Sequence, residues 1–368
     1  MAEPLRFGLV GSGWRAEFFA RVARLFPERY TLIGVVARSA ERGAEVERAW
    51  GVPTVRTVEE LVTGALPGAG ARADRPQLVV TATPWPVTPD VVREVVAAGV
   101  PVLAETPPAP DVDAMRELWA DVGSTDLVQV AEHSVFMPQH VARLAAVRAG
   151  LLGTVTSVHV SSTHQYHAVA LLRRFLGAGR GPAEVRATTH VAPLLDPASR
   201  AGWTGATEPV PATTTLATLD LGEGRLGLYD FTDNQWHNPL RANRLLVRGS
   251  HGELVDDRLT RWLDPRTVVT SSLVRRQSGV EQDLDGYDLE HVSLDGRVLW
   301  RAEHEGGRLA DDDHAVAGLL AATAAWVRGD GPAPYPLAEG LQDHLLGLAI
   351  GEAASSGGVV RTVAEAWA

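Results

Sequence analysis

A short apolar run, Arg6-Phe-Gly-Leu-Val10, leads directly into Gly11-Ser-Gly-Trp-Arg-Ala16, and a helical pattern over residues 17–26 follows. Strand, glycine turn and helix in that order constrain the fold more than any other feature of the chain. Gly11 permits the tight turn. Gly13 lets the backbone approach a pyrophosphate, whose charge then faces the positive end of the helix. Ala16 stands where a third glycine often packs helix on strand, and it is small enough to serve. The context, rather than the bare spacing, points to a dinucleotide site built from Gly11, Ser12, Gly13, Trp14 and Arg15.

A second strand, over residues 31–37, ends at Arg38-Ser39. An acidic residue at this strand end would hold a free ribose 2′-hydroxyl, but Ala37 occupies the place. Arg38 and Ser39 suit a 2′-phosphate better, which favours NADP(H). If Arg38 stacks on adenine instead, NAD(H) stays open. Helical patterns over 44–50, 57–62 and 87–98 alternate with apolar strands over 77–82, 100–104 and 127–131. A further helix, capped by Asp111 or Asp113, runs to Asp121. The alternation predicts a doubly wound parallel sheet. Residues 67–76 read as a Gly/Ala/Pro-rich surface loop with no assigned function. Ligands of open α/β sheets sit just past the carboxyl ends of the strands. Thr83, Pro84 and Trp85 after one strand, and Glu105 and Thr106 after the next, are therefore expected beside the cofactor.

A chain of 368 residues suggests two domains, here drawn at 1–131 for the dinucleotide and 132–368 for substrate and oligomerisation. The formal net charge of −11 is scattered rather than blocked. That argues against nucleic-acid and anionic-membrane partners, and leaves small anionic ligands open. No apolar run reaches the length of a membrane span, and no signal-peptide pattern precedes the first strand. With no cysteine, disulfides and thiolate catalysis are closed, and a cytoplasmic protein is expected. There is also no lysine: all 34 residues counted as Lys+Arg are arginine, which does not give up its proton.

The order of motifs resembles the glucose–fructose oxidoreductase, inositol dehydrogenase and rhizopine-catabolism family (Gfo/Idh/MocA). The residues that carry it are the glycine turn, Thr83-Pro84, Ala104-Glu-Thr-Pro107, Ala149-Gly-Leu-Leu-Gly-Thr-Val155 and Tyr335-Pro-Leu-Ala-Glu-Gly-Leu-Gln-Asp343. The resemblance implies an N-terminal Rossmann sheet plus a C-terminal α/β domain with a large, mostly antiparallel sheet. It also implies hydride transfer between a nicotinamide cofactor and a hydroxyl or ketone carbon of a sugar or cyclitol, and a homo-oligomer. The family's Glu-Lys-Pro lysine is Thr106 here, which makes the chain atypical. The family's histidine matches His167; its flanking aspartates are Thr163 and Ala170, and the histidine after Thr-Pro is Thr88.

In the second half, residues 154–162 alternate as a strand, and Thr163-His-Gln-Tyr-His167 leads into a helix to Leu176. His167 is the candidate general acid–base, because histidine titrates near neutrality without help. Tyr166 and His164 are candidates to donate to it or orient it; a capping histidine is the plainer alternative. His-x-x-His could bind a metal, but no further ligand stands at convincing spacing, so no metal is expected. His133, in Glu132-His133-Ser134 at the cleft mouth, is a candidate substrate contact or a structural residue. Trp236, in the polar and aromatic stretch 234–239, suits a carbohydrate contact; His190 and His237 are weaker candidates. Arg173 and Arg174 either face a substrate anion or form a solvated face. Strands are expected over 184–191, 213–221, 225–232, 244–248, 253–255, 268–273, 289–292 and 298–301. Two helices are expected, one from Asp312 or Asp313 to Val327 and one over 337–356. The functional expectation is a nicotinamide-dependent dehydrogenase or ketoreductase with histidine in place of lysine. The alternatives are a glycosidase working by transient oxidation and elimination, or a non-catalytic cofactor-binding regulator.

Overall fold

The computed structural model describes residues 3–67, 75–279, 281 and 287–368. Of the loop read over 67–76, residues 68–74 lie outside the described residues. Apolar strands alternate with helices through the first third of the chain. These elements are β1 (Leu5–Val10), α1 (Trp14–Leu25), β2 (Tyr30–Val36), α2 (Ala40–Trp50), β3 (Thr54–Val55), α3 (Val58–Thr63), β4 (Leu78–Thr81), α4 (Thr88–Ala97), β5 (Val102–Ala104), α5 (Val112–Val122) and β6 (Val128–Val130). They form one parallel sheet of order β3-β2-β1-β4-β5-β6, the doubly wound arrangement that the alternation predicts. Asp111, one of the two anticipated caps, accepts the Ala114 N–H at the start of α5.

A 3₁₀ turn, His133–Phe136, and α6 (Pro138–Arg148) lead to β7 (Val155–Ser161) and α7 (Gln165–Leu176). Eleven strands follow in chain order: β8 (Glu184–Leu194), β9 (Ala198–Ser199), β10 (Gly202–Trp203), β11 (Val210–Asp220), β12 (Leu226–Thr232), β13 (Arg244–Gly249), β14 (Gly252–Val255), β15 (Arg258–Asp264), β16 (Thr267–Gln277), β17 (Leu289–Leu294) and β18 (Arg297–Arg301). The chain closes with α8 (Asp311–Val327), α9 (Leu337–Ser356) and β19 (Val359–Arg361). The large sheet has the order β18-β17-β16-β15-β14-β13-β7-β12-β11-β8-β19. Its pairs are antiparallel except β7 with β12. No described helix is long and apolar enough to cross a membrane.

Several elements escaped the sequence pattern, among them α6, β15, β19 and the two-residue strands β3, β9 and β10. In α6 the charged and polar residues interrupt the apolar spacing, although Pro138 at the first helical turn is a start signal. In β15 arginines and threonine break the alternation, and β19 is three residues long.

One face of the large sheet is buried by α7 and α9, with Val158, Val160, Val185, Leu219 and Val247 inside. The other face leaves Leu216, Val268 and Val274 exposed. Helix α8 returns to the parallel sheet, where Val316, Leu319 and Leu320 join Phe7, Phe19 and Val22 in one core.

The position of α7 is set by charge as well as by packing. Arg173 is 4% exposed; it donates to Asp343 and, at 2.6 Å, to Glu339, both on α9. Tyr335 donates to the same Asp343, and Arg180 to the same Glu339. Arg173 is thus neither a substrate contact nor part of a solvated face, while Arg174 is exposed. Removing one partner of a buried pair strands the other, at about 3–5 kcal/mol. Arg173→Ala should therefore lower the urea-unfolding free energy by roughly that amount, measured by equilibrium denaturation.

Candidate active site

The end of β6 and the start of α7 bring two side chains together. Glu132, two residues past β6, is 1% exposed, and both its oxygens lie against His167 Nδ1, at 2.7 and 2.9 Å. The Ser134 N–H adds a third bond to the carboxylate, at 3.0 Å. Burial alone would raise the pKa of Glu132. The neighbouring His167 and His133 rings and the Ser134 N–H more than offset it and hold the group below its ordinary value. An ionised Glu132 accepts the hydrogen bond of His167 Nδ1–H, which leaves Nε2 as the nitrogen with a free lone pair. Glu132 entered the sequence reading only as the neighbour of His133. The missed signal was its place just past the carboxyl end of a parallel strand.

A second histidine–carboxylate pair stands beside the first. His133 Nε2 is 3.3 Å from Asp312 Oδ1 and 3.4 Å from an Arg15 nitrogen. Its ring meets that of His167 edge to face, with centroids 5.3 Å apart. Burial, reinforced by Arg15, lowers the pKa of His133 and keeps its ring neutral near pH 7. Asp312, at the start of α8, had been noticed only as a helix start.

Donor atoms of Glu132, His133 and His167 lie within 4.8 Å of one another, a spacing a metal ion could use. The Glu132–His167 hydrogen bonds already employ two of the three groups, while His133 Nδ1 is buried without a hydrogen-bond partner.

The cleft beyond these pairs has a volume of about 430 Å³. Histidines 133, 140, 164, 167 and 237 line it, with Trp236 on one wall and Trp14 and Arg15 on another. His164 is the N-cap of α7 rather than part of the helix, and its ring still lies 5.2 Å from that of His167. Burial pushes His164 down to about 4 and His140 to about 3, so both are neutral at physiological pH. Tyr166 is buried, and burial, with Glu105 and Glu132 nearby, drives its hydroxyl well above the ordinary phenol value. Tyr166 therefore remains protonated and can only donate or accept a hydrogen bond. His190 is exposed on β8 and does not line the cleft.

Thr106 is buried, and its hydroxyl donates to Glu105 Oε1 at 3.1 Å and also bonds Tyr166. It ties the end of β5 to α7. Glu105 also lies 3.8 Å from Arg15. Thr83 bonds Thr88 at 2.9 Å, and Trp85 is 45% exposed beside Tyr166 and His344.

The glycine turn fits a dinucleotide. Gly11 has φ +102°, and a Cβ there would sit 2.4 Å from the Ala82 carbonyl oxygen. A Cβ on Gly13 would meet nothing within 4 Å, so the backbone before α1 is open to a ligand. Arg42 grips the turn from α2 by donating to the Ser12 hydroxyl (2.9 Å) and carbonyl (2.6 Å). Ser39 is the N-cap of α2 and accepts the Arg42 N–H, so its hydroxyl already has a structural task. Arg38 is exposed.

Residues 5–133 match the family model described as an oxidoreductase family with an NAD-binding Rossmann fold, GFO_IDH_MocA. No curated protein matches the chain in sequence. Similar folds recur among solved structures. One is a myo-inositol dehydrogenase from Corynebacterium glutamicum, with 20% identity, TM-score 0.64, and coverage of 97% of this chain and 98% of that one. Another is an oxidoreductase from Agrobacterium radiobacter in complex with NAD+, L-tartaric acid and magnesium, with 15% identity, TM-score 0.67, and coverage of 98% of each chain. A third is a levoglucosan dehydrogenase in complex with NADH and levoglucosan, with 16% identity, TM-score 0.66, and coverage of 97% of this chain and 99% of that one. At such identities the likeness is one of fold.

The neutral histidines have a consequence for stability. His140 and His164 recover an ordinary value near 6.5 when the chain unfolds, so between 6.5 and about 4 the unfolded state binds more protons. Stability should fall as pH drops through that window. Urea midpoints between pH 7 and 4.5 check this, and His140→Gln should flatten the slope.

Proposed function

We propose that the protein is a nicotinamide-dependent dehydrogenase or ketoreductase acting on a hydroxyl or ketone group of a sugar, cyclitol or related small molecule. His167 is its general acid–base. The observation that carries this reading is the buried Glu132–His167 pair on a cleft that also reaches Trp14 and Arg15 of the glycine turn. The nicotinamide, when bound, supplies or accepts the hydride. The protein must orient the carbon and move one proton. In the oxidative direction His167 Nε2 takes the hydroxyl proton as the carbon loses its hydride; in reduction the same nitrogen returns it. Glu132 keeps the proton on Nδ1 and stabilises the imidazolium that forms. No lysine is needed for this division of work, and Thr106, already bonded to Glu105 and Tyr166, positions rather than titrates.

Gly11, Ser12, Gly13, Trp14 and Arg15 would hold the diphosphate of the cofactor, with Thr83, Pro84, Trp85 and Glu105 nearer its nicotinamide end. NADP(H) is the favoured form, because β2 is followed by Ala37 and an exposed Arg38, with no carboxylate at that position. His133, His164, Tyr166 and Trp236 face or border the substrate. The exposed Leu216, Val268 and Val274 on the open sheet face support a homo-oligomer.

The adjacent His133–Asp312 pair favours one second reading, in which transient oxidation makes a neighbouring C–H acidic and a second base removes that proton to expel a leaving group. Hydrolysis of a glycoside without net cofactor reduction would mark this reading.

NADPH, and more weakly NADH, should raise the melting temperature; if neither does, the dinucleotide reading fails. His167→Ala should lower kcat by roughly 10²–10⁴-fold with cofactor binding intact. Glu132→Gln should lower kcat and shift its pH profile. Unchanged turnover in His167→Ala, measured by nicotinamide absorbance, would remove the acid–base assignment.

A further inference from the structure

Residues 195–209 join β8 to β11, which pair from Glu184 opposite Asp220 to Leu194 opposite Val210. A few residues suffice to close such a hairpin, and connections this long in compact folds usually serve a function. This one carries β9 and β10 as a small arm. Its base is anchored. Asn234 Nδ2 donates to both Asp196 carboxylate oxygens, at 2.7 and 2.8 Å, and to the Ala198 carbonyl at 3.0 Å. Asn238 Nδ2 donates to the Leu195 carbonyl at 2.9 Å. The same 234–239 stretch supplies Trp236 and His237 to the cleft, so arm and cleft wall are built on one support.

At the tip, the Arg200 guanidinium lies 4.0 Å from the centre of the Trp14 ring, on the first residue of α1. Arg15 lies on the same ring at 4.7 Å. Two guanidinium groups from opposite sides of the cleft thus converge where the positive end of α1 begins. Arg200 forms no ion pair with a described residue, and Arg15 Nη1 is buried without a hydrogen-bond partner. Glu105, 3.8 Å from Arg15, offsets one of these charges, and the second guanidinium at the positive helix end leaves a place for a further anion.

We propose that Arg200 is a cofactor-binding residue contributed by the large sheet, its guanidinium pairing with the diphosphate of the dinucleotide seated at Gly11–Arg15. The proposal rests on the dinucleotide reading given above. The arm closes the cleft over the diphosphate, while His167 serves the reacting end. A substrate carboxylate would offer the same anionic chemistry. The diphosphate is preferred because Arg200 stacks on the residue that opens α1.

Calorimetric titration separates the outcomes. Wild type, Arg200→Ala and Arg200→Lys are titrated with NADPH, NADH, ADP-ribose and adenosine. The expected result is dinucleotide and ADP-ribose binding about tenfold or more weaker in Arg200→Ala, as for loss of a charge-assisted hydrogen bond. Adenosine binding should be unchanged, and Arg200→Lys should recover part of the loss. Raising the salt concentration should shrink the difference. Equal dinucleotide affinity in Arg200→Ala overturns the proposal. So does a raised substrate KM with unchanged dinucleotide affinity, which would move Arg200 to a substrate anion. A wild type that binds neither dinucleotide removes the cofactor reading itself, a result distinguishable from either. Arg200 is exposed at the arm tip, and an unchanged melting temperature without ligand will confirm that the variants fold.

Discussion

The carboxylate of Glu132 is almost wholly removed from water, and it stays ionised because His167 and the Ser134 N–H are beside it. A buried charge without such partners would neutralise or move. This requirement ties the carboxyl end of the parallel sheet to the first turn of α7, which rests on the large sheet. The cleft lies where the two sheets are held in register by this pair. The Arg173–Asp343–Glu339 set fixes α7 to α9 in turn, so the histidine is supported from behind by a second buried ionic cluster.

The same economy of solvent explains the character of the cleft. His133, His140 and His164 are neutral because burial disfavours their charged forms. Tyr166 is kept protonated by the same cause. Among these groups His167 has both oxygens of an ionised, buried carboxylate on one nitrogen. The resemblance implies a lysine where Thr106 stands, and the proposed chemistry does not need one. Thr106 fills that place with a hydroxyl that donates to Glu105 beside Tyr166, and in the reaction proposed above proton transfer falls to the imidazole.

Much of the fold was legible because local chemistry dictates it. The glycine turn, the alternating β and α patterns, the Asp111 cap and the last long helix follow from backbone freedom, apolar spacing and capping, which act within a few residues. Elements whose cues are interrupted by charge, α6 and β15, were not legible. At the site, His167, His164, Tyr166, His133 and Trp236 were named in advance and do gather at one cleft or its border. Their partners were not: Glu132 is 35 residues from His167, and Asp312 stands far downstream of His133. Arg173, open to reading as a surface or substrate charge, is buried, because carboxylates on a distant helix neutralise it.

By itself, the sequence determined the residue types available: no cysteine, no lysine, a glycine turn opening a helix, and histidines clustered around residues 164–167. These bound the chemistry, since composition excludes groups outright and short-range patterns specify strands, turns and helix ends. Only the tertiary structure decided which histidine faces an ionised carboxylate, which are silenced by burial, and which arginine reaches across to the helix that opens the dinucleotide site. Those outcomes depend on distance and on exclusion of water, and neither is written in the local order of residues.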